Sequence, residues 1–411
     1  MTRTAEVLNP TTPPDAPPLA PTDAPPLVTI LVPCLNERLV IGEFVDWCTE
    51  GLRNAGVTGE ILIVDSSTDD SAAIATAHGA KVISVPKRGL GQAYIDALPH
   101  VKGRYLILGD CDLTYDFREI KPFLEKLREG NEFVMGSRMR GHIETGAMPP
   151  LHRYLGTPST TAILNFLYRT HFTDIHCGMR GLTTDALRRI DLQSSGWEYA
   201  SEMVLKASRL GLRCCEIPIS FYKDRDGRMS HHKRSGWLSP WQAGWVNLRA
   251  MFVFAPDAIL LKPAIAALFV GWLLAFSLRS GPRHVGPVEF NLHWMLFGVT
   301  LSTVGYSALH LALLSRAYYA FRPTWRPAVL RLFSYNRGMV LGIAFMAIGL
   351  VANIHLCFYW FYHHLHLDQI SYPAVFGLLM IILGWQTITH TLILHMILFS
   401  RPSRGGSIMN G

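Results

Sequence analysis

Between residues 27 and 136, short apolar runs alternate with longer stretches of mixed polarity. The runs are Val28–Val32, Glu60–Val64, Lys81–Val85, Tyr105–Leu108 and Phe133–Met135. Between them, 39–55, 70–78, 91–101 and 117–129 are each long enough for a helix. Strands alternating with helices in this way predict an α/β domain built on a doubly wound, mostly parallel sheet. From about 137 to 236 the pattern turns to mixed α and β, richer in Arg, His and Gly.

After residue 256 the polar positions nearly vanish. Four apolar runs, near 259–278, 292–314, 338–362 and 372–399, each match or exceed the ~20 residues that a helix needs to cross a bilayer. Lys262 sits near the end of the first, where its long stem reaches the headgroups. The loop at 315–337 carries Arg316, Arg322, Arg326, Arg331 and Arg337, and the tail carries Arg401 and Arg404, whereas 363–371 has no Lys or Arg. The positive-inside rule therefore predicts that the whole 27–256 region, the 315–337 loop and both termini lie in the cytoplasm, and the expected membrane is the plasma membrane. Just before the first span, Trp237, Trp241, Trp245 and Leu248 recur every three or four residues, with Phe252 beyond, predicting an interfacial amphipathic helix at 237–256. Residues 1–26 hold eight prolines and no apolar run, which predicts a disordered leader rather than a signal peptide. The domain order is then leader 1–26, soluble domain 27–236, interfacial helix 237–256, four spanning helices over 257–400, and a cytoplasmic tail 401–411.

Composition agrees with that division. The 411 residues are 49% hydrophobic and 17% charged, with a net charge of +7. Soluble proteins carry roughly 25% charged residues. Membrane topology accounts for much of the positive charge, so no nucleic-acid partner is needed to explain it. The seven cysteines form no C-x-x-C pair, against a zinc ribbon or a secreted disulfide framework.

Three carboxylate-bearing turns follow predicted strands: Pro33-Cys34-Leu35-Asn36-Glu37, Asp65-Ser66-Ser67 and Asp110-Cys111-Asp112. In an open parallel sheet, ligands bind at the carboxyl ends of strands, and all three turns fall at that edge. Asp110 and Asp112 are spaced to reach one hard divalent cation, which commonly takes one or two carboxylates plus substrate phosphates. Taken alone, the pair also reads as a solvated turn, with Gly109 permitting a sharp bend. Lys87-Arg88-Gly89-Leu90-Gly91 opens a predicted helix, either an anion site or a plain basic turn. Two cationic clusters remain. One holds Arg138, Arg140, His142, Arg153 and Ser159-Thr160-Thr161; the other holds Lys223, Arg225, Arg228, His231, His232, Lys233 and Arg234. They suit anionic lipid headgroups or, more sharply, a membrane-borne phosphate.

As an ordered set, V-P-C-L-N-E at 32–37, I-V-D-S-S at 63–67, K-R-G-L-G-Q-A-Y at 87–94 and G-D-C-D-L-T-Y-D at 109–116 resemble the family-two inverting glycosyltransferases. G-S-R at 136–138, H-C-G-M-R at 176–180, S-E-M at 201–203 and E-I-P-I at 216–219 continue the resemblance. More narrowly, the chain looks like the polyprenyl-phosphate glycosyltransferases, the dolichol-phosphate mannose and glucose synthases. The resemblance implies an A-type, Rossmann-like domain followed by an α-helical membrane domain. It implies that Pro33, Leu35, Asn36, Glu37, Asp65, Lys87, Gly89, Gly91 and Asp110 hold a UDP- or GDP-hexose. Asp110 and Asp112, with Thr114 beside them, would bind Mg²⁺ or Mn²⁺. Asp112, Arg138, Arg153 and Arg225 would act on the reacting phosphates, and Ser159, Arg228, His231 and Lys233 would meet the acceptor phosphate. The family's phosphate stretch, R-x-x-G-x-S-K, is matched imperfectly: Arg228 replaces its Gly and His231 its Lys, so the cation that meets the phosphate is left open.

The expected reaction is a metal-dependent, inverting transfer of one hexose to a polyprenyl phosphate at the cytoplasmic leaflet. The four helices would hold the prenyl chain or assemble homo-oligomers. A processive polysaccharide synthase of the same fold would carry Q-x-x-R-W, and the segment Trp241-Gln242-Ala243-Gly244-Trp245 lacks the Arg-Trp pair. Transfer to another lipid and a catalytically silent binding module are the other readings; the paired Asp110 and Asp112 weigh against the second.

Overall fold

The computed structural model describes residues 26–225, 227–228, 239–254, 256–319, 334–362 and 371–400. The leader to residue 25, His231, Lys233, Trp237, most of the 315–337 and 363–371 loops and the 401–411 tail lie outside the described residues.

All five predicted strands form, and two more join them. The sheet comprises β1 (Val28–Cys34), β2 (Gly59–Asp65), β3 (Lys81–Ser84), β4 (Tyr105–Leu108), β5 (Phe133–Ile143), β6 (Arg180–Thr183) and β7 (Cys214–Phe221), in the order β3-β2-β1-β4-β6-β5-β7. Its pairs are parallel except those of β6, which runs antiparallel to both β4 and β5. Val28, Ile30, Leu31, Leu62, Ile63, Leu106 and Ile107 are buried, as expected of central strands covered on both faces.

Helices α1 (Ile41–Asn54), α2 (Ser71–Ala77), α3 (Leu90–Ala97) and α4 (Lys121–Arg128) fill the four predicted stretches. In α1, Ile41, Phe44, Val45, Cys48 and Leu52 bury one stripe at helical spacing. After β5 come α5 (Thr157–Tyr168), α6 (Thr184–Ile190) and α7 (Tyr199–Leu210). β1 has β2 on one side and β4 on the other, so chain order reverses there and opens a crevice at the strands' carboxyl ends.

Helix α8 (Ser239–Phe254) docks on this domain through Ala250, Met251 and Phe254, and the Tyr168 hydroxyl donates to the Met251 carbonyl at 2.7 Å. Its other side exposes Trp245 (62%), Phe252 and Val253. Four long helices follow: α9 (Pro256–Ser277), α10 (Leu292–Tyr319), α11 (Tyr335–Tyr362) and α12 (Tyr372–Ser400). Each contains an apolar segment long enough to span a bilayer, namely Ile259–Ser277, Leu292–Tyr318, Tyr335–Tyr362 and Tyr372–Ile397. A short hairpin, β8 (Arg283–Val285) and β9 (Val288–Phe290), joins α9 to α10. Helices α10 and α12 meet along a polar seam: Tyr306 and Thr387 share a hydroxyl bond at 2.7 Å, and Gln386 donates to Ser307 at 2.9 Å. Interhelical hydrogen bonds of this kind hold helices together where lipid supplies no hydrophobic drive.

Candidate active site

Strand register brings the three carboxylate turns together. Cys34 lies opposite Asp65 and Leu31 opposite Leu108, so β1, β2 and β4 end at one edge. The first two turns are locked to each other. Asn36, left-handed at φ 57°, donates its N–H to Ser67 Oγ (2.7 Å) and accepts from Thr68 N–H through Oδ1 (2.8 Å). Pro33 and Leu35 are half-buried beside it. Asp65 is buried; its Oδ2 accepts from Ser67 N–H, while Oδ1 has no hydrogen-bond partner among the described residues. A buried acceptor without a donor in the protein is rare, and a water, an ion or a ligand N–H or O–H would satisfy it.

The Asp110–Asp112 turn is strained at Leu113, which is left-handed at φ 62°. The left-handed position falls on Leu113 rather than on Gly109, whose missing side chain makes room for the Phe117 ring: a Cβ there would stand 2.5 Å from it. Such a conformation in a non-glycine residue persists only where the surroundings fix it. Thr114 fixes it here, donating to Asp112 Oδ1 from its N–H (3.0 Å) and hydroxyl (2.6 Å). Gly178, which precedes β6, makes room for Asp110: a Cβ there would stand 2.5 Å from Asp110 Oδ2. Burial, and then the like charge of Asp112, push the Asp110 carboxyl up to about 7, against the opposing pull of Arg228, Arg180 and Arg138. Among the described residues no cluster of three or more His, Cys, Asp or Glu forms a ready metal cage. Two hard, mutually repelling carboxylates nevertheless fit a divalent cation that takes its remaining ligands from substrate phosphates.

Arg228 occupies the centre of the acids. Its Nε and Nη2 each lie 2.7 Å from the two Glu37 oxygens, and its Nη1 lies 2.6 Å from Asp224 Oδ1 and 3.4 Å from Asp112 Oδ2. Arg225 stands elsewhere, paired at the surface with Glu43 of α1. Of the two arginines described in this stretch, the carboxylates therefore hold the one that replaces the motif glycine.

The other expected residues surround this centre at different depths. Lys87 is exposed, and Arg88 pairs with Asp96 at 2.8 Å. Gly89, at φ 114°, passes so close to the 191–198 loop that a Cβ would lie 2.2 Å from Ser195 O. Gln92 N–H donates to that same carbonyl at 3.1 Å, and Gly91 packs against Ser194. Arg138 points inward; its Nε and Nη2 grip Asp174 at 2.7 and 2.9 Å. Burial alone would raise the Asp174 carboxyl, but Arg138 outweighs it and holds the group below its usual value. Arg153 lies in the π-helical turn His152–Gly156 before α5, with its guanidinium 5.6 Å from the Tyr154 ring, and Ser159 is exposed on α5. No hydrogen bond or ion pair among the described residues ties either one to the carboxylates.

Four residues given no individual role from the sequence help build the site: Asp174, Arg180, Glu202 and Asp224. Arg180 is buried beneath Asp110 and donates to the carbonyls of Ile175, Cys177 and Ala200. Glu202 accepts from the N–H groups of Gln193 and Ser194 at 2.9 and 2.8 Å, fixing the loop that backs Gly89 and Gly91. The available signal was charged residues embedded in otherwise apolar segments, as in H-C-G-M-R and S-E-M.

His176 makes a stability prediction. Burial pushes its imidazole down to about 4, with Asp174 pulling upward and Arg138, Arg180 and His152 adding to the fall. Its Nε2 pairs with Thr160 Oγ1 at 2.8 Å. The unfolded chain then binds the extra proton first, so this contribution is complete above about pH 6.5 and is lost as pH falls towards 4. Denaturant melts across that window should show a loss of order 2–3 kcal/mol that His176→Gln removes. An identical pH slope in the variant would contradict it.

The chain matches the family model "Glycosyl transferase family 2" over residues 29–191 and "Glycosyltransferase family 2 C-terminal transmembrane region" over residues 313–398. It is 32% identical over 369 residues to the low-salt glycan biosynthesis hexosyltransferase Agl6 of Haloferax volcanii, covering 88% of this chain and 86% of that one. A dolichyl-phosphate hexose transferase of the same organism is 28% identical over 204 residues, 49% of this chain and 84% of that one. The solved glucosyl-3-phosphoglycerate synthase of Mycobacterium tuberculosis, in complex with Mg²⁺ and UDP, covers 55% of this chain and 79% of its own at 19% identity and a TM-score of 0.42. With a relative alike along most of its length and both family regions matched in order, the chain belongs to glycosyltransferase family 2 and is a membrane glycosyltransferase.

Proposed function

We propose that this enzyme transfers one hexose from a UDP- or GDP-sugar to a polyprenyl phosphate at the cytoplasmic leaflet, with inversion at the anomeric carbon. The observation that carries the reading is the convergence of Glu37, Asp65, Asp110, Asp112 and Arg228 at one sheet edge, in a domain fastened to four helices of membrane-spanning length. The name of the dolichyl-phosphate hexose transferase relative supports the acceptor class.

Asp65 would receive a base or ribose donor on its unpartnered Oδ1, and the Lys87–Gly91 turn would lie along the nucleotide. Asp110 and Asp112, with Thr114 in support, would hold Mg²⁺ or Mn²⁺, whose charge would offset that of the departing diphosphate. Arg228, its fork held by Glu37 and its Nη1 by Asp224, would supply a second positive charge beside Asp112. Arg153 and Ser159 extend the polar surface towards the acceptor, and Arg138 acts through Asp174 by fixing the β5 edge. No strong general base is required, because a lipid phosphate is already anionic near neutral pH, with a second pKa near ~6. The enzyme orients that oxygen for direct displacement, so an α-configured donor gives a β-linked lipid phosphosugar. The arginine-rich 315–337 loop supports a cytoplasmic site, where nucleotide sugars are made.

The test is a donor screen. Purified enzyme with Mg²⁺ or Mn²⁺ and undecaprenyl phosphate is offered UDP-glucose, UDP-GlcNAc, UDP-galactose and GDP-mannose. One donor should give a lipid-linked sugar by mass spectrometry, lost on adding EDTA. Nucleotide release without any lipid product would overturn the acceptor.

A further inference from the structure

Asp257 lies in the first turn of α9, and its side chain is wholly buried between two arginines. Its Oδ1 accepts from Arg209 Nη2, near the end of α7 in the catalytic domain. Its Oδ2 accepts from Arg316 Nε at 2.8 Å, in the last turn of α10. One carboxylate thus joins the catalytic domain to the beginning of one spanning helix and the end of the next. A carboxylate at a helix N-terminus and a guanidinium at a C-terminus are each favoured by the helix dipoles. The first span begins at Ile259, so the junction sits at the edge of the membrane segment.

Helix α7 carries this fastening to the site. Seven residues before Arg209, about 10 Å along the helix, Glu202 holds the Gln193–Ser194 backbone that supports Gly89 and Gly91. Near the helix start, Tyr199 packs on Tyr94 at 5.0 Å, and the Ala200 carbonyl accepts from Arg180 beneath Asp110. The donor site and the membrane anchor are therefore two ends of one short rod. The height of a lipid phosphate is set by its own chain, so the enzyme must bring the donor to it; an error of about 1 Å between reacting groups costs on the order of 100-fold.

We propose that Asp257 is a positioning residue: with Arg209 and Arg316 it sets the height of the donor site over the bilayer, so that its loss impairs engagement of the lipid acceptor while donor handling is kept. The proposal rests on the acceptor assigned above. The apolar docking of α8, with Met251 buried and Lys206 Nζ 5.1 Å from the Phe254 ring, keeps the domain attached when the charge is removed.

In proteoliposomes containing undecaprenyl phosphate, Asp257→Asn should raise the KM for lipid about tenfold or more. The KM for nucleotide sugar and the metal-dependent hydrolysis of donor should not change, and Asp257→Glu should recover most of the lipid KM. Arg316→Gln, which leaves the Arg209–Asp257 pair in place, should give the same split and serves if the Asn variant fails to accumulate. A nitroxide placed by Phe166→Cys, at a side chain 84% exposed, in a Cys357→Ser background reads the depth of the domain without any acceptor. That depth should shift in Asp257→Asn. Equal losses in transfer and hydrolysis, or an unchanged lipid KM with an unchanged label depth, would overturn the proposal. If the parent enzyme makes no lipid product, the acceptor reading falls and the depth of the label alone decides the clamp.

Discussion

Asp112→Asn should lower sugar transfer by about 10³-fold or more while leaving the unfolding midpoint within a few degrees of the parent. Asparagine has the same shape and keeps an oxygen for the two Thr114 donors, so the strained turn at Leu113 survives. What disappears is charge at the place where, on the proposed function, the diphosphate would depart. The Asp110 carboxyl, raised to about 7 by burial and then by Asp112, also loses its like-charged neighbour and falls back towards its ordinary value. A single carboxylate then remains where the parent has two. Mn²⁺ titration followed by electron paramagnetic resonance should register weaker binding alongside the lost turnover. Full activity in the Asn variant would remove the metal site from the account.

The second large effect separates two arginines that the sequence left side by side. Arg228→Ala should reduce transfer about 100-fold, because it removes the guanidinium that sits among Glu37, Asp112 and Asp224. Arg225→Ala should cost less than about tenfold, since its partner Glu43 lies at the surface and exposed pairs contribute little. Nucleotide affinity, measured by calorimetry with UDP or GDP, should be largely kept in Arg225→Ala and weakened in Arg228→Ala, which removes a charge beside the diphosphate. In the absence of nucleotide, Arg228→Ala should bind Mn²⁺ more tightly than the parent, because the cation no longer competes with a guanidinium for Asp112. The reverse order of losses would place the reacting phosphate at Arg225 and return the site to the family motif.

Much of the fold was legible because its signals are local. Val28–Val32, Glu60–Val64 and Tyr105–Leu108 are apolar runs bounded by polar turns, and each became a strand at nearly the expected bounds. The carboxyl-edge clustering of Glu37, Asp65, Asp110 and Asp112 followed from strand direction alone. Partners distant in sequence were not legible. Nothing local indicates that β6 runs antiparallel beside β4, so the closeness of Gly178 and Arg180 to Asp110 emerged only with the sheet order. Arg138 read as one of a cationic cluster that reaches towards a phosphate, yet Asp174, 36 residues on, holds it inward. In α8 the tryptophan spacing indicated one apolar face, whereas Met251 and Phe254 bury a second side on the catalytic domain. Asp257 gave no signal beyond a lone acid before an apolar run; its meaning depends on Arg209 and Arg316, which lie 48 and 59 residues away.

The central claim is that the acceptor is a phosphate oxygen attacked directly at the sugar. Nuclear magnetic resonance of the purified lipid product tests it most directly, through the anomeric coupling to carbon-bound hydrogen and to phosphorus. The account predicts a single phosphodiester linked to a β-anomeric carbon when the donor is α-configured. An α-linked product, or a sugar on a hydroxyl with no coupling to phosphorus, would contradict it.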